Sequence, residues 1–207
     1  MKKLTPLFAV FAMVAVLGFT SAGNVMAAKE YEMINPPQPT TSGDKIEVVE
    51  LFWYGCPHCF TLEPYVERWL KRKPENVKFV RMPGMFRPSW EIHGRAYYTA
   101  EVLGVVDKVH KPMFEAIHEQ KRSLSDEASI MALFKANGVS EKDFKRVFRS
   151  FAVETRLRRA KDMGQRYGVR GVPALIVNGK YRTGATKSGG NAKVFKVVNE
   201  LVKMESK

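Results

Sequence analysis

The chain has 207 residues, 45% of them hydrophobic and 11% aromatic, which is enough for a sizeable core and excludes a disordered polymer. That length fits one domain, or one domain carrying a large insertion. The formal net charge is +13, from 34 Lys and Arg against 21 Asp and Glu. The basic residues are spread out rather than striped, even at the densest cluster of Arg156, Arg158, Arg159 and Lys161, and so read as solvated helix faces rather than a nucleic-acid surface.

Lys2 and Lys3 open the chain, an apolar run follows from Leu7 to Phe19, and Val25-Met26-Ala27 ends it with small-residue spacing. This is the layout of a secretory signal peptide over residues 1–27, predicted to be cleaved after Ala27. A retained membrane anchor is the alternative, but it needs about 18 or more apolar residues. This run is shorter and is broken by Gly18 and Thr20. Cleavage removes two lysines and no acid, leaving 32 − 21 = +11. Export would place the mature chain where disulfides form and persist.

Residues 28–44 are polar and turn-rich, with Pro36, Pro37, Pro39 and Gly43, and read as a lead-in segment. Ile46 to Phe52 is apolar and β-branched apart from Glu47 and Glu50, and predicts a strand. The stretch Cys56-Pro57-His58-Cys59 follows, and then a helix from about Pro57 to Arg72, with Pro64 inside it as an expected kink. Val77 to Met82 predicts a second strand, ended by Pro83 and Gly84. From about Phe86 to Arg158 the apolar residues recur at helical spacing without a strand signal. Ser125, ahead of Asp126 and Glu127, marks a helix start, and Asn137-Gly138 a stop. Ser140 and Asp143 resemble a capping box that opens another helix, and a long helix then runs to Tyr167-Gly168. Ala174 to Val177 predicts a strand, Asn178-Gly179 a hairpin, and Lys180 to Thr183 its returning strand. An amphipathic helix from about Asn191 to Met204 ends the chain. Without the helical block, the remainder is a small α/β unit with a helix springing from the end of its first strand.

The chain has two cysteines, three positions apart. A disulfide across two intervening residues barely constrains the unfolded chain, so the pair is there for chemistry rather than for stability. The thiolate is the nucleophile, and free cysteine is mostly protonated at neutral pH. Cys56 falls at a helix start, where unpaired backbone N–H groups and the helix dipole favour an anion. Pro57 suits the first helical position, His58 can bring positive charge, and Cys59, one turn on, can close or resolve a disulfide. Half a zinc site would look the same, but zinc takes about four ligands. His93, His110 and His118 provide no second close-spaced pair, so no metal is expected.

Cys56-Pro57-His58-Cys59 after Val48-Val49-Glu50-Leu51-Phe52, together with Gly171-Val172-Pro173-Ala174 and Val177-Asn178-Gly179-Lys180-Tyr181, resembles the DsbA family of periplasmic dithiol oxidases. The resemblance covers the mature chain in order. It implies a thioredoxin fold with an inserted all-helical domain, divided as residues 28–85 plus 159–207 and residues 86–158. It further implies a cis Val172–Pro173 bond that faces the sulfurs and docks substrate, and a buried acid, Glu50, beneath them. The family's better-known members pair that acid with a lysine, whereas here Arg81 stands in its place. Arginine does not give up its proton, so such a pair could not pass one in the same way.

The expected function is donation of the Cys56–Cys59 disulfide to reduced cysteines of newly exported proteins in the periplasm of a Gram-negative bacterium. Reoxidation by a membrane quinone-linked partner of the DsbB type is implied, with no organic cofactor, and the protein is expected to be a monomer. A disulfide isomerase or reductase on the same fold is one alternative. A peptide-binding chaperone using Trp90, Tyr97, Tyr98 and Phe114 is another, although aromatics at helical spacing more often belong to a core.

Overall fold

Strand β2 (Ile46–Phe52) is buried along all seven residues, as expected of a strand covered on both faces. The computed structural model describes residues 30–206, so the signal-peptide reading of residues 1–27 lies outside it. β2 pairs in parallel with β3 (Val77–Pro83), from Ile46 opposite Val77 to Phe52 opposite Pro83. On its other side it pairs antiparallel with β4 (Ala174–Val177), placing Leu51 opposite Ala174. β4 turns back into β5 (Tyr181–Thr183), and a two-residue strand β1 (Glu32–Met33) closes the edge, giving the order β1-β5-β4-β2-β3.

The period-2 alternation of strand side chains separates two apolar layers. Ile46, Val48, Val77, Leu175 and Val177 pack under helix α1 (Pro57–Leu70) and helix α8 (Asn191–Glu205), against Leu62, Val66, Val198 and Leu201. Val49, Leu51, Ala174 and Ile176 share the other cluster with the helical segment, through Tyr97, Phe114, Phe148 and Leu157. That segment holds a 3-10 turn (Pro88–Trp90), α2 (Glu91–Val102), α3 (Val106–His118), α4 (Glu127–Ala136), α5 (Glu141–Phe148) and α6 (Phe151–Arg166), without a strand among its residues. A short helix α7 (Ala185–Ser188) precedes α8.

Asp126, not Ser125, caps α4, its carboxylate accepting from the Ser129 N–H at 2.8 Å. α5 and α6 are separate helices, because Ser150 is extended (φ −72°, ψ 155°) and caps α6. α6 then runs unbroken past position 158, so the helical segment and the sheet share it. The lead-in is more than turns. Ile34 N–H donates to Lys180 O at 2.7 Å and Gln38 N–H to Gly179 O at 2.9 Å, clasping the β4–β5 hairpin. Lys180 therefore belongs to the turn and β5 begins at Tyr181. Gly179 (φ +64°) has no alternative there, since a Cβ would sit 2.0 Å from Gln38 O.

Candidate active site

β2 ends at Phe52, and four residues later Cys56 becomes the N-cap of α1. Its N–H donates to Trp53 O at 2.9 Å, its carbonyl accepts from Phe60 N–H at 3.1 Å, and Pro57 occupies the first turn. The Trp53 indole stacks on Trp90, ring centroids 4.2 Å apart and 5° from parallel. A Cβ on Gly55 would lie 2.3 Å from that indole, so only glycine lets the chain pass it into the motif.

Both cysteines are free thiols, but their surroundings differ. Cys59 is fully enclosed (0% exposed), whereas Cys56 keeps 7% of its surface. The Cys56 thiol is lowered from its ordinary value near 9 to about 6. The hydrogen bond from Cys59 contributes most, opposed by burial, followed by the backbone N–H groups of Cys59 and His58 and then the charge of His58. Burial pushes Cys59 far above the ordinary range, reinforced by its bond to Cys56 and by the Cys56 and Glu50 charges. One sulfur is thus poised as thiolate and the other held as thiol.

The Cys56 Sγ lies 3.5 Å from Val172 O, the carbonyl of a cis Val172–Pro173 bond. The groove beside it, about 840 Å³, is lined by His58, Arg170, Val172, Pro173, Thr183 and Lys187, among others. Cys56, Cys59, His58, Pro57, Val172 and Pro173 are therefore brought together at one place.

Beneath them lies a buried charged cluster. Glu50 is fully enclosed on the face of β2 that α1 covers. Arg81 Nε approaches Glu50 Oε2 at 3.4 Å, an ion pair that falls short of hydrogen-bond geometry, and Arg81 Nη2 donates to Glu63 Oε2 at 2.9 Å. Burial, helped by the Glu63 charge and opposed by Arg81, pushes the Glu50 carboxyl up to about 8. Burial also penalises a charge on Glu63, but His110 and Arg81 outweigh it and hold that carboxyl below the usual range. Sequence reasoning found Glu50 and Arg81 and missed Glu63 and His110. Glu63 had left a signal, as an acid in the buried stripe Cys59, Leu62, Glu63, Val66. Of the four proposed chaperone aromatics, Tyr97, Tyr98 and Phe114 are core, and Trp90 is stacked on Trp53. Among the described residues no group of three or more His, Cys, Asp or Glu is placed to hold a metal ion.

Residues 89–201 match the family model of the DSBA-like thioredoxin domain. The thiol:disulfide interchange protein DsbA of Pseudomonas aeruginosa is 38% identical over 200 residues, covering 96% of this chain and 95% of that protein. This chain belongs to the DsbA family. The DsbA of Pseudomonas syringae pv. tomato is 39% identical over 185 residues, 89% of this chain and 86% of that one. The crystal structure of the Pseudomonas aeruginosa DsbA superposes with a TM-score of 0.83 at 39% identity, over 86% of this chain and 93% of that one. The DsbA oxidoreductase of Xylella fastidiosa gives 0.80 at 30% identity, over 86% of this chain and 95% of that one. The thioredoxin fold with its helical insertion is therefore the family fold, and the chain is a DsbA-type thiol:disulfide oxidoreductase.

Proposed function

We propose that this DsbA-family chain oxidises newly exported polypeptides by donating a Cys56–Cys59 disulfide to them. The unequal pair of sulfurs carries this reading. In the oxidised enzyme a substrate thiolate attacks Cys56 Sγ, the more accessible sulfur, and the Cys56–Cys59 bond breaks. Its electron pair leaves on Cys59, which takes a proton. A second substrate thiolate then attacks the substrate sulfur of the mixed disulfide and expels Cys56 as thiolate. The substrate has lost two electrons and two protons; one proton is now on Cys59, the other has gone to solvent, and Cys56 is left as thiolate. Cys56 is a good leaving group because its thiolate is stabilised, and the departing thiol's pKa governs that step.

The loop at Val172–Pro173 and the adjoining groove are the proposed docking surface. An extended substrate segment would pair with backbone there, as peptides commonly do at exposed strand ends. Pro57 and His58 tune Cys56, His58 as the least of its stabilising contacts. Glu50, with Arg81, is the proposed proton store for Cys59. Residues 86–158 are proposed as the inserted helical domain on a scaffold of 28–85 plus 159–207. Export by residues 1–27 to the periplasm, work as a monomer, a redox-active disulfide as the sole redox group, and reoxidation by a membrane quinone-linked partner of the DsbB type complete the proposal. Among the described residues no helix is long and apolar enough to cross a membrane.

The deciding experiment is equilibration with glutathione at pH 7. A disulfide that stays largely reduced until glutathione is mostly oxidised is the expected result. A disulfide that forms readily in a reducing glutathione buffer would make the chain a reductase.

A further inference from the structure

Opening the disulfide leaves Cys59 as a thiolate in a site that favours its thiol, so the step needs a proton delivered from below, and reoxidation needs the same proton removed. Arg81 cannot supply it, because a guanidinium keeps its protons. The titratable groups touching Arg81 are Glu50 and Glu63, and a third group joins them from the helical insertion. His110, on α3, is buried, with Nε2 at 3.3 Å from Glu63 Oε1 and Nδ1 at 2.8 Å from the Tyr54 hydroxyl. His110, Glu63, Arg81 and Glu50 thus form one continuous line of contacts.

Charge counting separates the states this line can hold. With Glu50 protonated, Glu63 ionised, Arg81 charged and His110 neutral, the cluster has no net charge. If Glu50 gives its proton to Cys59 and nothing else changes, a net negative charge is left buried, which is costly. If His110 takes up a proton, the cluster is neutral again. Both Glu50 oxygens lack a hydrogen-bond partner among the described residues, as do Glu63 Oε1 and His110 Nε2, so the ionised form of Glu50 has little else to stabilise it. Burial holds the His110 ring below its ordinary pKa while Glu50 is neutral, so the ring is neutral in that state. Burial disfavours its cation and Arg81 opposes it, while Glu63 and Glu67 on α1 favour it, and the Tyr54 and Tyr97 side chains face the ring as neutral groups.

We infer that His110 is a positioning residue for proton exchange at Cys59, gaining a proton as Glu50 loses one so that the buried cluster stays neutral. In balanced form, the Cys59 thiolate takes the Glu50 carboxyl proton, and the His110 ring takes one from solvent. His110 then returns its proton to solvent as Glu50 regains one from solvent, so the net change is one solvent proton on Cys59 and Arg81 passes none. The inference rests on the reading of Cys59 as the leaving sulfur, and it adds that the helical insertion contributes a working side chain.

His110→Gln keeps an amide that can reach Glu63 but cannot carry the charge. Two readouts apply to the full mature protein. Carboxyl-carbon NMR of Glu50 should show two coupled steps in the parent and a single step in the variant. The rate at which dithiothreitol opens the disulfide should lose one ionisation from its pH profile and fall about tenfold where that ionisation acts. The Cys56 titration should stay near 6, because none of its named stabilising contacts is altered. If His110→Gln fails to fold, Tyr54→Phe frees Nδ1 while keeping the ring and its packing, and should shift the same ionisation. Identical Glu50 titrations and identical profiles in the parent and the folded variant would overturn the inference. A reductase-like glutathione equilibrium in the parent would instead remove the oxidase reading, and would leave the Glu50–His110 coupling to be judged on the NMR alone.

Discussion

Cys56 and Cys59 occupy one helical turn, yet one is driven towards thiolate and the other held as thiol. The difference is positional, since the helix-start N–H groups point at Cys56 while Cys59 is one turn deeper with no solvent contact. Iodoacetamide should therefore label Cys56 alone in the reduced protein, with a rate that follows a single ionisation near pH 6. Peptide mapping after brief labelling at several pH values checks this, and comparable labelling of Cys59 would contradict the assignment. His58→Ser should move that midpoint upward by only a fraction of a unit, because backbone N–H groups and Cys59 supply more of the stabilisation. A full-unit rise would show that the imidazole, not the helix start, sets the thiolate. This residue-level chemistry was largely legible in the sequence, because the motif is local and the helix start can be read from Pro57. Glu63 shows only as an acid in a buried helical stripe, and His110 not at all, since it is 56 positions from Tyr54 and only tertiary packing brings them together.

At the level of elements, the strands and helices with strong local signals came out where periodicity placed them: β2, β3, β4, α1 and α8. β1 was missed for a physical reason. Two residues carry no readable alternation, and this strand exists only because β5, 148 or more positions later, offers it a partner (Met33 opposite Tyr181). The clasp that continues it depends on Gly179. Gly179→Ala should force Gln38 off the hairpin and strain a left-handed residue, costing about 1–3 kcal/mol. Chemical denaturation measures the loss. Thiolate chemistry at Cys56 should be unchanged, because the hairpin turn lies at the opposite end of β4 from Val172–Pro173. A variant as stable as the parent would mean that the lead-in contributes nothing to the sheet.

The whole molecule links the site to stability through protons. A lowered thiol pKa adds stability to the folded, reduced protein that is fully present above the unfolded value near 9 and lost as pH falls through about 6. At pH 7 the group sits about one unit above its folded value, so the contribution is about 1.4 kcal/mol, equivalent to about 30 mV of oxidising power. It should approach zero at pH 5 and reach about 3–4 kcal/mol near pH 9. Glu50 works in the opposite sense. Its raised carboxyl, near 8, costs the fold stability as pH climbs from the ordinary carboxylate range. That cost is present in both redox forms, so a stability curve of either form alone would mix the two effects, whereas the difference between the forms isolates the sulfurs. The chain-entropy benefit of so short a disulfide loop is small and independent of pH. Paired denaturant curves of oxidised and reduced protein from pH 5 to pH 9 should therefore diverge steadily, the reduced form gaining. Above pH 9 the trend should reverse, because Cys59 ionises in the unfolded chain while the fold keeps it protonated. A gap that stays constant across this range would mean that the thiolate is not stabilised by folding, and the oxidising role assigned to Cys56 would fall with it.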